Sequence, residues 1–209
     1  MASNVQGAIE VGFIYEHSAE QAMTELREAL GAESDASPIY IETDTTGFKA
    51  RAGYATGVPD TDDGISIGLE YDELAGENSE DVYKAFIDAL KQVYESTEPL
   101  YGWGIRRTRI DIPELSTPAT SESIADSRII APTWVMLFTP AMVEEYGREW
   151  LLDLPVDRID DLPDGGLLIV CTEQLLDVPP GDEYFSDMAE VDRAFGLDPV
   201  ETGHEVPEI

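Results

Sequence analysis

A chain of 209 residues, 43% of them hydrophobic, can bury a full core, and its length fits one large domain or two small ones. Its 12 lysines and arginines stand against 44 aspartates and glutamates, a formal net charge of −32, which leaves no basic field for a nucleic acid. A single cysteine, Cys171, excludes an intrachain disulfide and a cysteine-based zinc site.

The apolar periodicities predict elements along the whole chain. Residues 8–15 read as a strand. Ser18 stands as the N-cap of a helix running to Leu30, with Ala22, Met23, Leu26 and Leu30 on one face and Gly31 as terminator. Residues 38–43 and 48–54 pair as a hairpin across Thr45, Thr46 and Gly47, and residues 65–71 form another alternating strand after a turn-rich stretch. Ser79 caps the strongest helix. Glu80 and Asp81 occupy its positively polarised first turn, Val82, Phe86, Leu90, Val93 and Tyr94 form its apolar stripe, and Pro99 closes it. Residues 100–110 are strand-like, and residues 111–127, rich in Ser, Thr and Pro, read as a long loop or linker.

The stretch from Arg128 to Thr172 organises the rest. The run from Trp134 to Phe138 is short and apolar and is bounded by Pro132 and Pro140, the pattern of a buried strand. Thr139 and Pro140 suit the cap and first residue of a helix, along which Met142, Val143, Tyr146, Trp150 and Leu151 recur until Leu154 and Pro155 end it. Asp164, Gly165 and Gly166 turn the chain into a second buried strand, 167–171, where Cys171 reads as a small buried hydrophobe. Beyond the break at Pro179, Pro180 and Gly181, a last short helix carries Tyr184, Met188, Val191 and Phe195, and the tail past Pro199 reads as loose.

Hairpins and helices alternate without a parallel strand–helix–strand rhythm. The expected fold class is therefore α+β, a mostly antiparallel sheet with helices packed on it. Residues 1–176 are expected to form a single α+β domain that would subdivide near 111–127, followed by a C-terminal helix and tail over 177–209. No signal-peptide pattern follows Met1 and no apolar run approaches about 18 residues, so a soluble, cytoplasmic chain without membrane contact is expected.

The acids are spread among well-formed apolar periodicities, unlike an acidic tail or a disordered segment. Lys49, Lys84 and Lys91 are the only lysines. This composition resembles that of salt-in halophilic proteins, whose carboxylate surfaces hold water and ions in concentrated salt. Self-repulsion at such charge opposes the compact state in dilute salt and is screened as the Debye length shrinks. Acidity of that origin does not by itself argue for a basic partner.

Several constellations bear on chemistry. Asp60, Thr61, Asp62, Asp63 and Gly64 share the opening of a calcium-binding loop, but Gly64 falls at the fifth position and Asp72 at the twelfth, so the register fails. The histidines, His17 and His204, lie near opposite ends of the chain, and no Gly-x-Ser-x-Gly elbow supplies a nucleophile beside either. Glycine-rich phosphate loops are missing. Among many carboxylates only Glu70 is unusual, standing in an otherwise apolar strand, and an outward position on an alternating strand accounts for it. No catalytic residue, metal ligand or cofactor is expected.

The basic residues concentrate once, at Arg106, Arg107 and Arg109, just after Tyr101, Gly102, Trp103 and Gly104. Arginine pairs with carboxylate or phosphate, and aromatics beside arginine are frequent at binding surfaces. Trp103, Arg106, Arg107 and Arg109 are thus the candidate partner- or anion-binding residues. Pairing with local acids is the competing structural role.

The order Tyr101-Gly102-Trp103-Gly104, then Trp134 to Pro140, a helix ending at Leu154-Pro155, and Leu162-Pro163-Asp164-Gly165-Gly166-Leu167 resembles the immunity proteins of type VI secretion and related polymorphic toxins, over about residues 80–176. The resemblance implies a cytosolic α+β protein that binds a toxin and has no catalytic residues. Three functional classes follow: a protein-binding protein, a small-molecule or anion-binding domain built on Trp103, Arg107 and Arg109, and an enzyme using scattered carboxylates.

Overall fold

The computed structural model describes residues 7–31, 39–42, 47–53, 64–70, 79–108, 119–173 and 182–205. The acidic loop from Asp60 to Asp63, Arg109, residues 111–118 of the Ser/Thr/Pro stretch and the Pro179–Gly181 break lie outside the described residues. The chain divides into two compact units, residues 1–107 and 108–209. Both are built of antiparallel strands with helices, so the fold is α+β.

In the first unit the strands run in the order β2-β3-β4-β1-β5, where β1 is Gly7–Ile14, β2 Ile39–Glu42, β3 Gly47–Gly53, β4 Gly64–Glu70 and β5 Tyr101–Thr108. The pairs β2/β3, β3/β4 and β4/β1 are antiparallel. The β1/β4 register sets Ile9 opposite Leu69, Val11 opposite Ile67 and Phe13 opposite Ile65. All six side chains are buried, as the period of two requires of residues sharing one face. Helix α1 (Ala19–Leu30) packs against β3, β4 and the longer helix α2 (Ser79–Thr97). It begins on Ser18, whose hydroxyl accepts from the Gln21 N–H, and it ends on Gly31, as its sequence predicts.

Helix α2 buries more than the expected stripe. Tyr83, Ala85, Ile87 and Ala89 are covered together with Phe86, Leu90, Val93 and Tyr94, while Asp81, Lys84, Asp88, Gln92 and Glu95 remain as a narrow exposed line. Its last turn is tied to the strand layer by polar contacts. Thr97 donates its hydroxyl to the Val93 carbonyl at 2.7 Å and lies 2.9 Å from the buried Tyr15 hydroxyl. Burial holds that phenol well above its usual range. The Leu100 N–H then donates to the Ile14 carbonyl at 2.8 Å, which sets the start of β5 beside the end of β1.

The second unit has the strand order β6-β8-β7, with β6 at Val135–Phe138, β7 at Arg158–Asp161 and β8 at Leu167–Val170. Leu137 faces Leu168 and Val135 faces Val170 in the β6/β8 pair. Every residue of both strands is buried, as their unbroken apolar runs predict. The turn into β8 also follows the sequence: Gly165 adopts φ 96° and the Gly166 N–H donates to Asp164 Oδ1 at 2.9 Å.

Four features differ from the sequence-based expectation. A strand, β7, precedes the Asp164–Gly166 turn. Its Arg-Ile-Asp-Asp sequence lacks apolar alternation because it pairs with β8 alone, at the end of the strand order. A short helix α3 (Ser121–Ala125) occupies part of the expected loop, held by a capping box in which the Thr120 hydroxyl accepts from the Ser123 N–H and the Ser123 hydroxyl from the Thr120 N–H. The single helix expected after Pro140 is two, α4 (Pro140–Tyr146) and α5 (Arg148–Leu152), broken at Gly147. Helix α6 (Asp182–Ala194) is followed by a further turn of helix, α7 (Pro199–Thr202), where the sequence suggested a loose tail.

Gly147 adopts φ 84° and ψ 118°, a backbone region that L side chains avoid. No heavy atom lies within 4 Å of where its Cβ would stand, so replacement is limited by backbone strain alone. Gly147→Ala is expected to cost about 1–3 kcal/mol in chemical denaturation. A neutral result would show that the break between α4 and α5 does not depend on glycine.

Candidate functional site

The predicted arginine segment begins on β5. Trp103 is 1% exposed, its ring 5.7 Å from that of Tyr101, and its indole Nε1 has no hydrogen-bond partner among the described residues. Trp103 therefore contributes to the core of its unit and not to an open aromatic surface. Arg106 and Arg107 continue the strand in backbone, while their side chains and all of Arg109 lie outside the described residues. The same holds for the side chain of Glu70, the last residue of β4.

The two histidines occupy different units and different surroundings. His17 Nε2 lies 3.3 Å from Glu25 Oε2, with its ring 5.4 Å from that of Tyr15. His204 lies beside the buried carboxylate of Asp192. Cys171 is buried at the end of β8, and burial, with the Asp192 and Asp157 carboxylates adding to it, pushes its thiol far above the usual range. A thiol so held stays protonated and is no nucleophile. Among the described residues no group of three or more His, Cys, Asp or Glu side chains could hold a metal ion. No helix among them is long and apolar enough to cross a membrane.

An aromatic cluster in the second unit reaches the surface. Phe138 at the end of β6 meets Tyr146 edge-on at 5.7 Å, and Tyr146 stacks on Trp150 at 5.6 Å with an interplanar angle of 20°. Phe195, just past α6, stands edge-on to both, 5.7 Å from Tyr146 and 5.1 Å from Trp150. Phe138 is fully buried and Trp150 is 36% exposed, so the cluster runs from the core to the surface. Edge-to-face and offset contacts of this kind are worth about 0.5–1.5 kcal/mol each beyond burial and hold the rings in place.

Polar contacts fix the cluster from its flanks. The Tyr146 hydroxyl accepts from the Ile129 N–H at 2.8 Å, and its phenol is raised by burial, against which the Ile129 N–H and Arg128 act. Arg128 pairs with Asp126. Arg148 pairs with Asp161 and donates to the Gly165 carbonyl at 3.2 Å, fastening α5 to the β7–β8 hairpin. Both flanking arginines are thus engaged within their own unit.

Sequence reading did not single out this cluster. Tyr146 and Trp150 were legible as one helical stripe and Phe195 as part of another. Tyr146 and Trp150 are four residues apart, a spacing that neighbours them on a helix, whereas the meeting of Phe195 with both depends on the turn after α6, which has no pattern in the sequence. The chemical signal that was present is the partial exposure expected of Trp and Tyr, which keep a polar handle beside a large apolar face.

No protein-family model matches the chain, and no curated protein matches it. Among solved structures it is similar to a Pseudomonas aeruginosa T6SS protein at 11% identity, covering 93% of this chain and 73% of that one, with a TM-score of 0.44. A likeness at that score carries no argument about fold or function.

Proposed function

We propose that this chain is a protein-binding protein that docks its partner on the Trp150 face of its second unit, and that it acts as a toxin-neutralising immunity protein. The observation that carries the docking face is a tryptophan, 36% exposed, whose ring is already held by Tyr146 and Phe195. Interface energy concentrates in Trp, Tyr and Arg, and a side chain ordered before binding loses little entropy on contact. The toxin-neutralising part rests on the sequence resemblance across residues 80–176.

The test is capture of a partner from a native lysate in molar KCl, with the wild-type chain beside Trp150→Ala. The partner is expected to come down with the wild type, to arrest growth when expressed alone, and to lose that effect when co-expressed with this chain. Capture by the wild type and by Trp150→Ala alike would remove the aromatic face as the docking site. If capture fails only after Arg107→Glu with Arg109→Glu, the arginine segment is the docking site. A captured protein that is harmless when expressed alone would overturn the toxin-neutralising reading.

A further inference from the structure

Carboxylates border the exposed tryptophan. Asp153 caps α5 three residues after Trp150, and its N–H donates to the Trp150 carbonyl at 3.1 Å, so the two neighbour each other on one side of the helix. Glu149 directly precedes Trp150 and stands three residues after Tyr146. Glu145 acts on the Tyr146 phenol, whose ring stacks on the indole. All three acids are exposed, and no ion pair among the described residues involves them.

The cations of this part of the unit are already engaged. Arg128, which also acts on Tyr146, pairs with Asp126, Arg148 pairs with Asp161, and Arg158 pairs with Asp160. Arg193 is exposed on α6 two residues before Phe195, a spacing that does not bring two side chains to one face of a helix. The imbalance is therefore local to the aromatic face, apart from the acidity of the chain as a whole. Trp103 and Trp134 are 1% exposed, so Trp150 is the tryptophan that a partner can touch.

That combination selects the chemistry of what docks there. An acidic partner would add to the repulsion, and a second copy of this chain would set the same three carboxylates against themselves. A lysine ammonium is compact and keeps its water. A guanidinium is more weakly hydrated, lies flat on aromatic rings, and sends its N–H groups sideways toward carboxylates. We propose, granted the docking face at Trp150, that the partner fills it with an arginine. Its guanidinium packs on the exposed part of the Trp150 ring and donates to Glu149 and Asp153.

The experiment follows amide chemical shifts of the full chain as an acetylated, amidated Gly-Arg-Leu-Arg-Gly peptide is added. Its lysine and citrulline counterparts are titrated in parallel. Molar KCl shortens the Debye length to about 3 Å, so general attraction to the acidic surface is screened and contact-range binding remains. The arginine peptide is expected to move the amides of Tyr146, Glu149, Trp150, Asp153 and Phe195. Its affinity is expected to fall about tenfold in Trp150→Ala and in Glu149→Gln with Asp153→Asn. The lysine peptide is expected to bind about threefold more weakly, and the citrulline peptide to leave these shifts unmoved.

Equal binding of the lysine peptide, shifts scattered over the acidic surface and unaltered in Trp150→Ala, or no binding at all would each overturn the arginine assignment. Movement of the same amides with protein concentration alone would give the face to a second copy and overturn it too. The docking reading fails separately. A partner captured by the wild type and lost with Trp150→Ala, together with a peptide that does not bind there, would keep the docking face and remove the arginine.

Discussion

The melting temperature of this protein is expected to climb steeply as KCl is raised from dilute to molar concentration. A formal net charge of −32 on 209 residues means that each carboxylate meets many others within one chain. In dilute salt their repulsion reaches across the surface, whereas the Debye length falls from about 10 Å at 0.1 M to about 3 Å at 1 M. Screening removes a penalty that weighs more on the compact state than on the expanded one. At roughly 2–4 °C per kcal/mol for a chain of this length, recovery of a few kcal/mol reads as on the order of 10 °C. Described ion pairs such as Lys84 with Glu80 or Arg128 with Asp126 are exposed and weaken in salt, but there are 12 basic residues against 44 acidic ones. Repulsion therefore dominates the response. A melting temperature that does not move, or that falls, would show that the acidity has another origin.

Trp134→Ala is expected to cost about 3–5 kcal/mol, the usual loss for emptying a large buried site. Trp134 is 1% exposed and immediately precedes β6, and its carbonyl accepts from the Cys171 N–H at 2.8 Å, so the residue sits where the β6/β8 pair closes. The ring leaves with its contacts, and the surrounding Val135–Phe138 and Leu167–Val170 backbones are too well paired to collapse into the space. Denaturant titration measures the loss. A cost below about 1 kcal/mol would mean that the site is not part of a packed core.

What the sequence made legible follows how locally each element is specified. β6 and β8 were readable because both faces are buried, so every position from Val135 to Phe138 and from Leu167 to Val170 is apolar. α1 was readable from its cap, its face and Gly31, all within the helix itself. β7 was not, because a strand paired on a single side can consist of Arg158, Ile159, Asp160 and Asp161 and still form. The helix break was not either, since a glycine within an apolar stripe is tolerated in a helix as readily as it ends one. The candidate site needed the most distant information: Phe138, Tyr146, Trp150 and Phe195 come from a strand, two helices and a turn. The arginine segment was conspicuous in sequence because basic residues are scarce, yet Trp103 beside it is spent on the core.

The most direct measurement of the central reading is calorimetric titration, in molar KCl, of the captured partner into wild-type chain and into Trp150→Ala. A rigid, partly exposed tryptophan at the centre of a docking face is expected to carry about 2 kcal/mol or more, so the variant should bind at least about tenfold more weakly with its fold unchanged by circular dichroism. Equal affinities for the two would contradict the account and place the partner elsewhere on the molecule.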